Sequence, residues 1–288
     1  MLDLFSFVFG RLLDPFAYIL MINNKPLVSI LLPVHNSDRN LSDCLKSLVG
    51  QSYRQIEIIA IDDFSTDSSL KILKSFAKKY PSASRRYPEG HSGRGKKVRV
   101  YRNIKRYGIV MTLNRLLRKA KGDYIAFMDS NDISSKQRIK KQLEFLLGNQ
   151  GVVAVGAQCR FMNDRSRLIG KSSFPKENQF IYRSPLHGIS MQFETVLVNK
   201  NLIPKDLLRF QANSDHFIYS DVLMKLLPYG KFANLPQYLY YHRNDPKAYF
   251  GDLRIHLASL IKLWVKSIAN YDYQLSIKSF FTPLIKQS

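Results

Sequence analysis

Two apolar, β-branched runs constrain this chain more than any other feature. Val28-Ser-Ile-Leu-Leu32, closed by Pro33, and Ile56-Glu-Ile-Ile-Ala-Ile61, closed by Asp62-Asp63, read as buried strands. Each is followed by a helical pattern. Residues 38–50 place Leu41, Leu45, Leu48 and Val49 at helical spacing behind Ser37 or Asp38 as N-cap. Residues 67–79 form a basic amphipathic helix capped by Ser65 or Asp67. Strand, helix, strand, helix is the order of a parallel sheet covered by helices.

The pattern continues after an interruption. Residues 81–97, PSASRRYPEGHSGRGKK, have no periodicity and read as a surface loop. Beyond it, Val98–Tyr101 is a short strand, 109–120 a helix, and 122–128 a strand ending at Asp129-Ser130-Asn131-Asp132. A basic helix over 134–147, a strand over 152–159, an irregular stretch over 171–192, a strand over 195–198 and a helix over 218–227 follow. Residues 232–241 read as strand, and 253–269 as an apolar helix with Lys and Arg on its other face.

In open α/β sheets ligands bind beyond the carboxyl ends of the strands. Three tips there carry polar or acidic groups: Pro33-Val34-His35-Asn36, Asp62-Asp63-Phe64-Ser65 and Asp129-Ser130-Asn131-Asp132. If their strands are neighbours, the tips ring one crevice. Helix capping accounts for one acid at each of the two acidic tips. The acids left over suit a divalent cation held together with a diphosphate. Their presence is notable in a chain with 44 Lys and Arg, 22 Asp and Glu and a net charge of +22. That charge favours polyanions, whether nucleic acid, anionic lipid or phosphate-bearing ligands. Neither GxGxxG nor GxxxxGK[ST] nor HExxH occurs, which argues against dinucleotide dehydrogenases, P-loop enzymes and zinc proteases. Cys44 and Cys159 have no metal or redox spacing and read as buried free thiols in a reducing cytoplasm.

These residues carry a resemblance. VSILLPVHNSDRNLSDCLKSLVGQSYRQIEIIAIDDFSTDSS (28–69) resembles the opening of family 2 glycosyltransferases of GT-A fold, and the likeness resumes over 98–146 and 221–243. It implies an α/β, GT-A-like, mixed but mostly parallel sheet flanked by helices. It also implies transfer of a sugar from a nucleotide-sugar donor, a UDP-sugar, to a hydroxyl of a glycan or lipid-linked acceptor, with inversion. By position, Pro33, Val34, His35 and Asn36 match the loop lining the base. Asp63 matches the acid that contacts uracil or ribose, Asp62 supports it, and Ser65 belongs to the same turn. Asp129-Ser130-Asn131 matches the DxD motif, with Asp129 and Asn131 holding Mn²⁺ or Mg²⁺ on the diphosphate. The departures are His35 in place of an aromatic residue, Phe64 in place of a glycine, and Asn131 in place of an acid. Ile218 and Tyr219 fall where the family carries its Glu-Asp catalytic pair, so the nearby acids Asp215 and Asp221 become the candidates for the base. His187 and His242 lie in the same half.

The expected organisation is an apolar segment over 1–24, a catalytic domain over 25–250 and a basic helical segment over 251–288. The catalytic domain divides into a donor half, 25–132, and an acceptor half, 133–250. The apolar N-terminus lacks the features of a spanning helix or signal peptide. Together with the basic C-terminal helix it suits an anionic membrane surface at the cytoplasmic face. The competing reading of that helix is packing on the catalytic domain. Two further functions compete: a catalytically weak family member that binds nucleotide sugar or glycan, motivated by Asn131 and the missing pair, and a nucleic-acid binder, motivated by charge alone and opposed by the acidic tips.

Overall fold

The structure is a computed structural model, and it describes residues 25–81, 96–181, 190–211, 218–243, 257–271, 273 and 285–286. The apolar segment over 1–24, most of the 81–97 loop, His187 and Asp215 lie outside the described residues. In chain order the elements are β1 (Val28–Val34), α1 (Asp38–Val49), β2 (Ile56–Asp62), α2 (Ser69–Lys79), β3 (Lys96–Arg102), α3 (Gly108–Lys119), β4 (Tyr124–Phe127) and β5 (Ile133–Ser134). Then come α4 (Arg138–Gly148), β6 (Val152–Met162), β7 (Leu168–Ser172), α5 (Asn178–Ile181), β8 (Leu197–Asn199), α6 (Ile218–Met224), β9 (Lys231–His242), α7 (Leu257–Tyr271) and β10 (Ile285–Lys286).

The main path of the sheet runs β10-β7-β6-β8-β4-β1-β2-β3, with β9 paired to both β5 and β6. Strands β4, β1, β2 and β3 are mutually parallel, with Leu31 facing Phe127 and Val34 facing Asp62. Strand β8 joins β4 antiparallel and makes the sheet mixed. The GT-A-like, mostly parallel architecture expected from the sequence is the one observed.

Side-chain alternation divides the strands between two cores. Ile30 and Leu32 of β1 and Ile56, Ile58 and Ala60 of β2 pack with α1 and α4 residues such as Leu41, Leu45 and Leu143. Leu31, Ile59 and Ile61 face the other way and pack with Leu113 and Leu116 of α3 and Val222 and Leu223 of α6. Both faces are thus covered, which explains why the runs are continuously apolar rather than alternating. Each such buried Leu or Ile contributes roughly 1.5–3 kcal/mol.

Two local readings differ from the structure. The stretch 171–192, expected to be irregular, contains the end of β7 and the single-turn α5. The basic helix over 134–147 begins only at Arg138, because Ile133–Ser134 pairs with Tyr240 and Tyr241 of β9. Arg138 itself is fully buried. Its Nη2 donates to the Phe127 carbonyl (3.0 Å), its Nε to Gln142 Oε1 (3.2 Å), and its guanidinium lies 5.1 Å from the Tyr240 ring centre. Burial lowers its pKa to about 10, so it stays charged and props the end of β4. Cys44 and Cys159 are buried free thiols, as expected.

Candidate active site

The order β4-β1-β2 makes the three tips neighbours at one edge of the sheet. A web of short contacts joins them. His35 Nδ1 lies 2.9 Å from the Asp63 carbonyl, and the Asn36 amide donates to Ser65 Oγ (3.1 Å). Asn36 Oδ1 accepts from the Thr66 amide (2.9 Å), and Ser37 Oγ and Ser130 Oγ are 2.7 Å apart. Asn40 Nδ2, from α1, donates to Asn131 Oδ1 (3.2 Å). Pro33 and Val34 end β1, paired with Ile61 and Asp62. The structure therefore brings together every donor-site residue expected from the sequence: Pro33, Val34, His35, Asn36, Asp62, Asp63, Ser65, Asp129, Ser130 and Asn131.

Two of these turns hold strained backbone. Asn36 has φ of 46° and Phe64 φ of 59°. Asparagine tolerates this region, and a phenylalanine there costs about 1–2 kcal/mol. The family's glycine at position 64 has a physical reason in that conformation. The Phe64 ring in its place lies 5.2 Å from the Arg102 guanidinium, a cation–π contact that offsets part of the strain.

The adjacent acids Asp62 and Asp63 do different work. Asp63 Oδ1 accepts from Asn103 Nδ2 (2.6 Å) and the Tyr107 amide (2.8 Å), and its Oδ2 from the Gly108 amide (2.8 Å). It caps α3, a helix that starts more than forty residues away. Asp62 is fully buried. Its Oδ2 accepts from the Ser65 amide (3.3 Å) and pairs with Arg102 Nε (3.2 Å), while its Oδ1 is buried with no hydrogen-bond partner among the described residues. An orphaned buried carboxylate oxygen costs about 1–3 kcal/mol or more unless a ligand donor meets it. The N-cap position of α2 is Ser68 rather than Ser65 or Asp67, and Asp67, one residue before it, accepts from the Ser69 amide through Oδ1 (2.9 Å).

In the Asp129–Asp132 turn the roles are again split. Asp132 is buried; its Oδ2 accepts from Tyr240 Oη (2.8 Å) and lies 2.8 Å from His242 Nδ1, and its Oδ1 accepts from the Arg243 amide (2.7 Å). Burial pulls the His242 pKa down, but the hydrogen bond and charge of Asp132 outweigh it and raise it to about 9. His242 is therefore an imidazolium at neutral pH, and Asp132 anchors β9 to the turn. Asp129 is the open acid. Its Oδ1 accepts from the Asn131 amide (2.7 Å), and its Oδ2 has no hydrogen bond among the described residues. Burial first, then the charge of Asp132, pushes its pKa up to about 6. A desolvated carboxylate next to a second one is a receptive partner for a cation. Among the described residues no cluster of three or more His, Cys, Asp or Glu surrounds a common point. A metal here would take Asp129 and the Asn131 amide oxygen from the protein and the rest from the ligand and water, a donor set that suits Mg²⁺ or Mn²⁺.

Of the acids expected as base, Asp221 lies on α6, fully buried, between Lys225 Nζ (2.9 Å) and Lys266 Nζ (2.6 Å). Its Oδ1 accepts from Lys266, and its Oδ2 is ion-paired with Lys225 but has no hydrogen bond among the described residues, so it ties α6 to α7. Sequence reasoning passed over Glu194. It sits on a 3-10 turn, Phe193–Thr195, against the end of β4, where the Phe127 amide donates to the Val196 carbonyl (3.3 Å). Phe193 packs tilted against Phe127 (4.2 Å) and stacks on Tyr219 (4.3 Å), so the residue after it, Glu194, is close in the fold to the position where the family carries its acidic pair. Its half-buried carboxylate accepts from Gln192 Nε2 (2.6 Å), and its charge is felt at Asp129, His242 and Tyr219. A three-residue turn has no period, so the available signal was an acid within the apolar run before β8.

Acidic and polar tips on three adjacent strands of such a sheet, with one strand ending in Asp-x-Asn, define a glycosyltransferase of GT-A fold. Residues 29–200 match the profile of glycosyl transferase family 2, and the chain belongs to that family. It is 32% identical over 207 residues to an uncharacterized glycosyltransferase of Haemophilus influenzae, covering 70% of this chain and 74% of that one. It is 24% identical over 198 residues to the Escherichia coli UDP-Glc:α-D-GlcNAc-diphosphoundecaprenol β-1,3-glucosyltransferase WfgD, covering 68% and 70%. Among solved structures, TarS 1-349 of S. aureus in complex with UDP superposes with a TM-score of 0.61 at 18% identity, covering 85% of this chain and 66% of that one. The mannosyltransferase PcManGT of Pyrobaculum calidifontis, in complex with GDP-Man and Mn²⁺, gives 0.57 at 16%, covering 85% and 64%. This chain thus spans just under two thirds of both solved chains. At those identities the likeness is one of fold.

Proposed function

We propose that this glycosyltransferase moves a sugar from a UDP-sugar to a hydroxyl of a glycan or lipid-linked acceptor, with inversion. The carrying observation is the pair of unclaimed carboxylate oxygens, Asp62 Oδ1 and Asp129 Oδ2, on the two strands that flank β1. The UDP bound by TarS and the diphosphoundecaprenol acceptor in the name of WfgD support the donor and acceptor classes. The 25–132 half holds the donor and the 133–250 half the acceptor. The Pro33–Asn36 loop and the turn of Asp62, Asp63 and Ser65 shape the subsite for the base and ribose. Asp129 and Asn131 hold Mn²⁺ or Mg²⁺, whose chemistry is neutralisation of the charge that builds on the leaving diphosphate. Ser130, fixed by Ser37, sets the turn. Glu194 takes the proton of the acceptor hydroxyl in place of Asp221, which is ion-paired with two lysines, and Asp215 is the alternative base.

The test is thermal unfolding with UDP, GDP, CDP or dTDP, each with and without Mn²⁺, followed by UDP release from UDP-glucose. A nucleotide at one hundred times its Kd stabilises by about 2.7 kcal/mol. UDP is expected to stabilise in a metal-dependent way, and the absence of stabilisation by any nucleotide overturns the reading. Glu194→Gln is expected to lower turnover by about 10²–10⁴-fold with UDP stabilisation unchanged. Metal-dependent UDP binding without turnover of any donor selects the second reading, a nucleotide-sugar binding module, which the Asn131 substitution favours.

The finer localisation rests on α7. Leu263 and Ser267 are buried against the domain, while Ile261, Val265 and Ile268 are 46%, 62% and 50% exposed along one stripe. Packing and an outward apolar face therefore coexist. Among the described residues no helix is long and apolar enough to cross a membrane. The stripe, with Lys262 beside it in a chain of net charge +22, suits peripheral attachment to an anionic surface at the cytoplasmic face. Co-sedimentation with phosphatidylglycerol vesicles but not phosphatidylcholine vesicles, lost in Val265→Glu, is the expected result.

A further inference from the structure

A cavity of about 530 Å³ opens beside the Asp129–Asp132 turn, lined by Met162, Asn163, Asp164, Arg165, Arg167, Ile169 and Arg243. Its wall is the β6–β7 hairpin. The Asn163 side chain builds the turn, with Oδ1 accepting from the amides of both Arg165 and Arg167 at 3.0 Å. Ser166 completes the turn with φ of 59°. Two arginines, one residue apart, are therefore presented from a fixed backbone. Neither guanidinium has a hydrogen-bond or carboxylate partner among the described residues. The local acid, Asp164, lies 3.8 Å from Arg39 of α1 instead. Arg243 joins the cavity to the donor site: its Nε donates to the Asn131 carbonyl (3.0 Å) and its Nη1 to Ser166 Oγ (2.9 Å).

The hairpin continues this charge away from the cavity. Arg160 of β6 is paired in register with Lys171 of β7. Like charges directly opposite one another weaken a sheet, and a polyanion lying along this pair would remove that cost. Arginine forks are suited to phosphate oxygens, which they bind with paired, charge-assisted hydrogen bonds.

We propose that this cavity and hairpin form an acceptor subsite for a phosphate group, so that the acceptor is a glycan bearing a phosphodiester or diphosphate. The proposal rests on the glycosyltransferase reading above. Arg165 and Arg167 hold the phosphate, and Arg243 sets its distance from the donor diphosphate through the Asn131 carbonyl. The lipid-diphosphate and polyol-phosphate sources share this chemistry.

The experiment is calorimetric titration of the full chain, first with UDP and Mg²⁺, then of the UDP-saturated protein with farnesyl diphosphate and with a glycerol-phosphate oligomer. Octyl glucoside is the uncharged control. One phosphate probe is expected to bind one to one beside UDP, and its identity names the source. Both replaced arginines are exposed, so R165Q/R167Q is expected to keep its fold and its UDP affinity while binding the probe at least about ten-fold more weakly. The proposal is overturned if neither phosphate probe binds, if UDP displaces them, or if the double variant binds them like the parent chain. A failure of UDP itself to bind counts against the donor reading. The same probes titrated onto UDP-free protein then decide the hairpin separately, by the same ten-fold criterion.

Discussion

Asp129→Asn is expected to lower sugar transfer by at least about three orders of magnitude and to make the ligand-free protein more stable. The two effects have one cause. Asp129 Oδ2 is the acid oxygen of its turn that nothing in the described protein claims, and the carboxylate is desolvated and faces Asp132. In the free protein that charge is a liability, which is why its pKa is pushed up to about 6. A carboxamide keeps the acceptor for the Asn131 amide and removes the repulsion, for a gain of about 1 kcal/mol or more. In the working enzyme the same charge offsets that of a cation and diphosphate, and its loss falls on the transition state, where charge on the leaving group is greatest. Functional sites commonly trade stability for activity in this way. Unfolding of the free variant, UDP stabilisation with and without Mn²⁺, and turnover separate the parts. Metal-dependent stabilisation should vanish while metal-free UDP binding persists through Asp62. A variant with normal turnover would remove Asp129 from the site. The reciprocal change, Asn131→Asp, adds a third carboxylate to the turn, so it should tighten metal binding and destabilise the free protein.

The donor edge of this site was legible in the sequence because parallel-strand topology puts chemistry at strand ends. Three runs of apolar residues fixed three tips, and sheet order made them neighbours. What the runs could not carry was the division of labour within each tip. Asp62 and Asp63 are adjacent in sequence, yet one caps α3 through Tyr107 and Gly108 and the other keeps an oxygen free. That distinction depends on a helix whose start is far along the chain. The helix read as basic over 134–147 hid a different distinction: Arg138, Ile139, Gln142, Leu143 and Leu146 occupy one buried stripe, which a count of Lys and Arg does not show. The acceptor half was harder still. Its elements are short or bulged: α5 and the Phe193–Thr195 turn are too brief to show a period, and β9 changes register repeatedly against β6. Glu194 and the Asn163–Arg167 turn belong to that half, where no periodic pattern marks them.

Asp221→Ala should cost about 3–5 kcal/mol of stability, a third or more of what a domain of this kind usually has. Asp221 is fully buried and holds two ammonium groups, Lys225 within α6 and Lys266 from α7. Lys225 is itself almost fully buried and donates to the Arg209 carbonyl (3.1 Å), its one hydrogen bond through Nζ among the described residues. Removing the carboxylate leaves that charge without a counter-ion in a place water scarcely reaches. Lys266 is a third exposed at its side chain and can turn to solvent, so its share of the loss is smaller. The double variant Asp221→Leu with Lys225→Met removes acid and base together and should recover most of the loss, because a well-packed apolar pair replaces a buried ion pair at little cost. Urea unfolding of the single and double variants measures both terms. The same variants decide what Asp221 is for. A tie between helices predicts that the double variant, once folded, transfers sugar within about ten-fold of the parent chain. A general base predicts a loss of about 10²–10⁴-fold that restored stability does not repair. The two lysines beside its carboxylate favour the first outcome, which leaves the proton to another acid.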